Sequence, residues 1–326
     1  MRDRFNPTTR DRQRTMLRTA MGPEIAEALA DPLVIEVMAN PDGRLWVDRH
    51  GEGRSDTGST LEPAQVERII RLAASHVGQE CYAERPVVSA ELPETGERFE
   101  GLLPPVVASP CFAIRKPAQK LYRLTDYVQA QIMTPLQAKA LADAVAERKN
   151  IVVVGGTSSG KTTLVNALLD EVAASGDRVI LIEDTRELQC AAEDSVNVRT
   201  KPGVASLADL VRSTLRLRPD RIVIGEVRGA EALDMLKAWN TGHPGGITTL
   251  HANSAHAGLY RLEQLIQEAV VSVPRRLIAE AVDVVVFING RGASRRIETV
   301  AALEGLTQDG DYRLISLVPD PSNPTA

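Results

Sequence analysis

Aromatic residues are scarce in this chain: Trp, Tyr and Phe together make up 3% of it. Proteins that track single-stranded nucleic acid stack bases on aromatic rings along a basic groove. With few rings, a formal charge of −5 and a pI near 5.7, direct nucleic-acid binding is disfavoured. Cysteine is scarcer still. Cys81, Cys111 and Cys190 are odd in number, far apart and outside any metal-ligand spacing, as expected for reduced, buried small hydrophobes. No run of about eighteen apolar residues occurs, so no segment has the length of a spanning helix. The opening stretch MRDRFNPTTRDRQR lacks the apolar core of a secretory signal, which sets the expectation of a cytoplasmic chain.

What is present is a globular composition, 43% hydrophobic and 25% charged, over 326 residues, enough for two domains with separate cores. Residues 1–30 form an arginine-rich leader in which Arg2, Arg4, Arg10, Arg12, Arg14 and Arg18 face only Asp3 and Asp11 up to Ala20. Two readings stand: a solvated, partly disordered leader, or a surface that touches anionic lipid or an acidic partner at a membrane. Residues 31–115 read as an α+β domain. LVIEVM, RLWVD, PVVSAEL, RFEGLLP and CFAIRK are short strands, and Val66, Ile69, Ile70, Ala73 and Val77 share one face of a helix from Pro63. Residues 116–133 read as a linker, opened by Pro117. From 134 to 326 the pattern changes. A helix starts at Thr134-Pro135, an N-cap followed by proline at the first helical position. IVVVG, RVILIE, RIVIGE, GITTLH and VDVVVFI then alternate with helical stretches. This is the signature of an α/β fold with a mainly parallel sheet buried on both faces. RRIETVAAL and DYRLISLV close the chain as a hairpin.

Nine residues after the first of these strands cannot serve a core. Gly155, Gly156, Thr157, Ser158, Ser159, Gly160, Lys161, Thr162 and Thr163 match Gly-x-x-x-x-Gly-Lys-[Ser/Thr], the phosphate-binding loop of nucleotide triphosphatases. The context is the required one, a strand before and an apolar helix pattern after. Backbone N–H groups and the helix N-terminus would hold phosphate charge. Lys161 would reach the β- and γ-phosphates of ATP, and Thr162 would offer its hydroxyl to Mg²⁺.

Ligands of open parallel sheets bind at the carboxyl ends of the strands, so the strand-end residues carry the rest. Glu226 is the candidate to orient and deprotonate the attacking water, unless it is a surface glutamate starting a turn. Gly225 stands where such strands usually carry an aspartate, which puts direct carboxylate contact with Mg²⁺ in question and leaves Glu226 to reach it through water. Glu183, Asp184 or Glu187 would hold the metal through water, or form an ordinary acidic turn. His251 would sense the γ-phosphate, or rest in local hydrogen bonds. Arg216, Arg218 and Arg221 are either a solvated basic face or the partners of the acidic loops. His243, His251 and His256 fit no familiar zinc spacing.

GGTSSGKTT, IEDTRELQ, LRLRPDRIVIGEVRG and AWNTGHPGGITTLHANS, running in that order over 151–255, resemble the secretion (traffic) ATPases of type IV secretion and conjugation, most closely the TrbB-type. GERFEGLLPPV and FAIRKP extend the resemblance more weakly toward the N-terminus. The resemblance implies a RecA-like C-terminal motor domain and a hexameric ring. It also implies a cytoplasmic location on the inner-membrane face of a secretion channel whose components are the partners. By motif it makes Glu226 the catalytic carboxylate, assigns Glu183 and Glu187 to the Asp box and His251 to the His box, and matches Arg115 to an interdomain arginine that reaches phosphate, with Arg98 as its companion. An arginine delivered from a second domain would make hydrolysis depend on domain closure, with the linker as hinge. The competing readings are a DNA-acting RecA-like helicase, a kinase whose acceptor site no stretch announces, and a nucleotide-gated scaffold without turnover.

Overall fold

Alternating apolar residues and one amphipathic helix build the first of two units, Met1–Gln119, in the computed structural model, which describes residues 7–93, 96–117, 121–201 and 203–318. Its elements are α1 (Pro7–Ala30), β1 (Val34–Ala39), β2 (Arg44–Arg49), β3 (Gly53–Thr60), α2 (Pro63–His76), β4 (Val87–Glu91), β5 (Arg98–Leu102) and β6 (Cys111–Arg115). The strands form one sheet, β3-β2-β1-β6-β5-β4, with every neighbouring pair antiparallel. Val66, Ile69, Ile70 and Ala73 of α2 are buried in a core with Val37, Leu45, Phe99 and Ile114. Gly101 is needed there: a Cβ would sit 2.8 Å from the Phe99 ring and 2.9 Å from Ile70.

The leader departs from the expectation of disorder over its described part. Residues 7–30 are helical with a break at Gly22 (φ 73°), and Leu17, Ala20, Met21 and Ile25 are buried in the core of this unit. Burial of these four outweighs the arginine excess, because the arginines occupy other faces; Arg12 and Arg18 are exposed. Arg2 and Arg4, and the side chain of Arg10, lie outside the described residues. β3, whose sequence GRSDTGST carries no apolar alternation, is an exposed edge strand paired only to β2.

The second unit, Lys120–Ala326, contains α3 (Leu124–Gln129), α4 (Pro135–Ala146), β7 (Ile151–Gly155), α5 (Lys161–Ala173), β8 (Val179–Glu183), β9 (Ser195–Arg199), α6 (Leu207–Thr214), β10 (Arg221–Ile224), α7 (Glu231–Trp239), β11 (Ile247–His251), α8 (Ala255–Gln267), α9 (Arg275–Ala281), β12 (Val284–Asn289), β13 (Arg296–Leu306) and β14 (Tyr312–Ser316). The sheet order is β14-β13-β12-β7-β11-β10-β8-β9. It is parallel from β12 to β9 and closes with the antiparallel pairs β12–β13 and β13–β14. The linker is shorter than its sequence suggests. Leu124, Tyr127 and Met133 are buried in the core of this unit, so α3 and the turn after it belong to the second body. At α4 the cap is as expected: Gln137 N donates to Thr134 Oγ1 at 3.2 Å, and Thr134 N donates to Gln137 Oε1 at 2.8 Å.

The amino ends of the central strands are tied by buried polar groups. Asn150 Nδ2 donates to Ala281 O and Gly246 N donates to Asn150 Oδ1, both at 2.8 Å, which joins the approaches to β7, β11 and β12. Arg221, 1% exposed, pairs with Asp177 at 2.6 Å and donates to Val145 O at 3.0 Å. These bonds rigidify that edge, although Arg221 Nη1 is itself buried without a hydrogen-bond partner; losing Asp177 would strand a buried charge.

Candidate active site

The opposite, carboxyl edge of the sheet holds the chemistry, and the phosphate loop shows why its residue types are fixed. A Cβ at Gly155 would lie 2.5 Å from Ile288 O and 2.6 Å from Ser159 Oγ, so no other residue fits between β7 and β12. Ser158 (φ 62°) and Gly160 (φ 94°) both take left-handed backbone, which curls the chain onto the N-terminus of α5. The Ser159 hydroxyl is buried and without a hydrogen-bond partner. A helix N-terminus, an orphan hydroxyl and a lysine at its first position form a donor set that fits a polyphosphate. Among the described residues, no cluster of three or more His, Cys, Asp or Glu could hold a metal ion. Mg²⁺ would take most of its ligands from phosphate and water, with Thr162 as the protein's contribution.

Four side chains line up in sheet order. Lys161, 7% exposed, follows β7; His251 ends β11; Glu226 follows β10; Glu183 ends β8. Lys161 Nζ donates to Gly155 O and Gly156 O at 3.0 Å and lies 3.2 Å from His251 Nδ1. His251 Nε2 lies 2.8 Å from Glu226 Oε1, and the other Glu226 oxygen accepts from Arg228. An ammonium has donors only, so Nδ1 is the acceptor and the imidazole proton sits on Nε2, donated to Glu226. Partial burial, then the charge of Lys161, hold the His251 pKa below its ordinary value against the pull of Glu226. The ring is thus a neutral bridge between the phosphate-loop cation and the strand-end carboxylate.

Glu183 is 3% exposed and its Oε1 accepts from Glu187 N at 2.8 Å and Leu188 N at 2.7 Å. Burial pushes its carboxyl upward despite those bonds. At Gly225 a Cβ would be 3.3 Å from Glu183 Cγ, so a larger residue there would press on the Glu183 side chain. Glu187 enters through its backbone, whose carbonyl accepts from Asn166 Nδ2 at 3.1 Å. Asn166 Oδ1 also accepts from Gln189 N at 2.9 Å, so this buried asparagine on α5 pins the acidic turn to the phosphate-loop helix. Its signal in the sequence is a polar residue inside the apolar run Leu164–Leu168. Arg228, which pairs with Glu226 and lies 4.0 Å from Asp184, had only its place two residues after Glu226 to mark it.

Arg218 is not with them. It precedes β10 and so lies at the amino edge of the sheet, in a left-handed turn (φ 55°), away from the strand-end groups of its own chain. Arg221, from the same basic run, is in the buried network with Asp177. Arg98 and Arg115 sit in the first unit, directly opposite one another on β5 and β6. Arg98 also stands opposite Glu91 on β4.

A loop of this conformation, opening a helix with its lysine in place, defines a P-loop nucleotide-binding domain. The family described as Type II/IV secretion system protein matches residues 24–289, and the chain belongs to that family. It is 49% identical over 291 residues to the conjugal transfer protein TrbB of Rhizobium radiobacter, covering 89% of this chain and 90% of that one. It is 31% identical over 313 residues to the type IV secretion system protein VirB11 of Brucella suis, covering 83% and 86%. The solved structure of the Legionella pneumophila ATPase DotB has the same fold, with a TM-score of 0.57 at 20% identity over 99% of this chain and 87% of that one.

Proposed function

We propose that this chain is the Mg²⁺-dependent ATPase motor of a conjugative type IV secretion system and works as a hexameric ring. It is a secretion ATPase of the TrbB type by family. The observation that carries the reading is the hydrogen-bonded line Lys161–His251–Glu226 across three adjacent strand ends, because phosphoryl transfer needs positioned charge more than covalent chemistry. Bound Mg²⁺ supplies charge neutralisation at the phosphates. Lys161 holds the β- and γ-phosphates, Thr162 offers its hydroxyl, and Glu226 orients the attacking water and takes its proton. Glu183, together with Glu187, holds the acidic turn beside them. Engaging phosphate draws Lys161 from His251, which changes the hydrogen bonding of Glu226 at the moment substrate arrives. Arg115, with Arg98 as its companion, would be drawn to the phosphates, so that ATP favours a closed arrangement and ADP a looser one. Cycled around a ring, that is mechanical work on pilus subunits or exported DNA–protein cargo. The partners are then other subunits of this chain and components of a channel at the cytoplasmic face of the inner membrane. Among the described residues no helix is long and apolar enough to cross a membrane, so attachment would be peripheral.

ATP turnover per subunit is expected to climb steeply with protein concentration and then level off in the presence of Mg²⁺, because neighbours complete each site. Turnover that is flat down to a concentration where sizing shows monomer would overturn the ring.

The pH profile carries a second expectation. His251 must be neutral to accept from Lys161, and its pKa is lowered in the fold. The value of kcat/KM, which reports the free enzyme, should therefore hold as pH falls toward the ordinary histidine value and decline only below about 6.5. His251→Gln should lose that acid limb. A wild-type midpoint at or above 6.5, or a limb unchanged in the variant, would place the titrating group elsewhere.

A further inference from the structure

The connection between β12 and β13 reaches the phosphate loop from the side away from β11 and carries two arginines onto it. Arg291 Nε donates to Thr157 O at 3.1 Å, and Arg295 Nη2 lies 3.5 Å from Ser158 O. The Arg295 guanidinium also covers Gly160, where a Cβ would lie 3.0 Å from both its Nε and its Cζ. The connection is itself held at both ends. Gly290 (φ 79°) makes a turn in which a Cβ would meet Ser294 O at 2.3 Å, and Arg291 N donates to Ser294 Oγ at 3.1 Å. Beyond it, Ile297 N donates to Ile132 O at 2.7 Å and Gln137 Nε2 donates to Ile297 O at 3.0 Å.

Two left-handed residues, Ser158 and Gly160, give the phosphate loop its curl. A non-glycine residue in that region persists only where its surroundings enforce it. The arginines act on the two carbonyls around Ser158 and on the face of Gly160, the positions where the curl is made. Holding the carbonyls outward leaves the loop N–H groups for the anion, and two guanidinium charges beside the loop raise the local positive potential. Arg295 Nε and the Tyr127 hydroxyl are both buried without a hydrogen-bond partner. Arg295 as a whole is half-exposed, but leaving its Nε buried and unbonded, with no carboxylate paired to the guanidinium among the described ion pairs, is unexplained by folding alone.

We infer that Arg291 and Arg295 are positioning residues for nucleotide binding, holding the phosphate loop in its anion-receiving form. This rests on the reading of that loop as an ATP site. The test compares Arg291→Ala, Arg295→Ala, their double variant and Arg295→Lys with Arg313→Ala, an exposed arginine on β14. ADP affinity, KM and kcat for ATP, and thermal unfolding with and without ADP are measured on the full chain. Each single alanine variant should raise KM and the ADP Kd by roughly threefold to tenfold and the double variant by more than about tenfold, with kcat at saturating ATP within about threefold. Nucleotide-free Tm should hold, while the Tm rise produced by ADP shrinks; Arg295→Lys should recover part of the affinity and Arg313→Ala should behave as wild type. Unchanged KM and Kd would overturn the inference. So would a fall in kcat at constant KM, which would put the arginines in the chemistry, or a lowered nucleotide-free Tm that accounts for the whole loss. Wild-type protein that binds neither ATP nor ADP would instead remove the ATP reading and this inference with it.

Discussion

Lys161→Ala is expected to abolish ATP turnover, with kcat/KM lower by about a thousandfold or more, and to stop the proposed transport. The lysine is the only cation within the loop, its stem is buried, and its ammonium is held 3.0 Å from two loop carbonyls and 3.2 Å from His251. A charge fixed in a partly dry site acts on phosphate far more strongly than one in bulk water, and alanine leaves nothing in its place. The fold should survive, because alanine is the best helix former and Lys161 stands at the first position of α5. Circular dichroism and nucleotide-free Tm serve as the control. Wild-type conjugative transfer in cells carrying only this variant would sink the motor reading outright.

Glu226→Gln should give the complementary result: nucleotide still binding, and hydrolysis slowed at least about a hundredfold. Glutamine keeps the length and shape of the side chain. Its amide oxygen can still accept from His251 Nε2, now 2.8 Å from Glu226 Oε1, so the bridge to Lys161 survives. What would be lost is the proposed capacity to take a proton from water. ADP affinity within a few-fold of wild type beside a collapsed kcat, read by single-turnover kinetics, is the expected pattern. Near-normal hydrolysis would move the proton-accepting role to Glu183, although two backbone N–H groups already occupy one of its oxygens.

Strands buried on both faces were legible because their sequences have nothing else to do: Ile151–Val154 and Val284–Ile288 are unbroken apolar runs. β3 was not legible, since an exposed edge strand with no buried face leaves no alternation to find. Nor was β9, whose half-exposed SVNVR pairs only with β8. α3 was hidden by its length; six residues carry too little periodicity, and its buried Leu124 and Tyr127 declare themselves only in the packed core. In the site, everything attached to a strand end could be read from spacing. Arg228, Asn166, Arg291 and Arg295 could not be assigned, because each acquires its role from a segment distant in sequence or from a side chain's direction. Arg218 misled for the opposite reason: it is close to the Glu226 strand in sequence but at the wrong end of it.

The ties at the amino edge, Asn150 across three strands and Arg221 with Asp177, have a consequence for natural variation in this chain. Damage there and damage at the carboxyl edge reach the cell by different routes. A substitution at Asn150, Asp177 or Arg221 strands buried polar groups, so it lowers how many intact molecules accumulate while each survivor works at full speed. On the proposed roles, a substitution at Lys161 or Glu226 would leave the pool full and every molecule idle. In the proposed ring, the second kind would be dominant: idle copies would occupy places among active ones, whereas missing copies would leave those places to be filled.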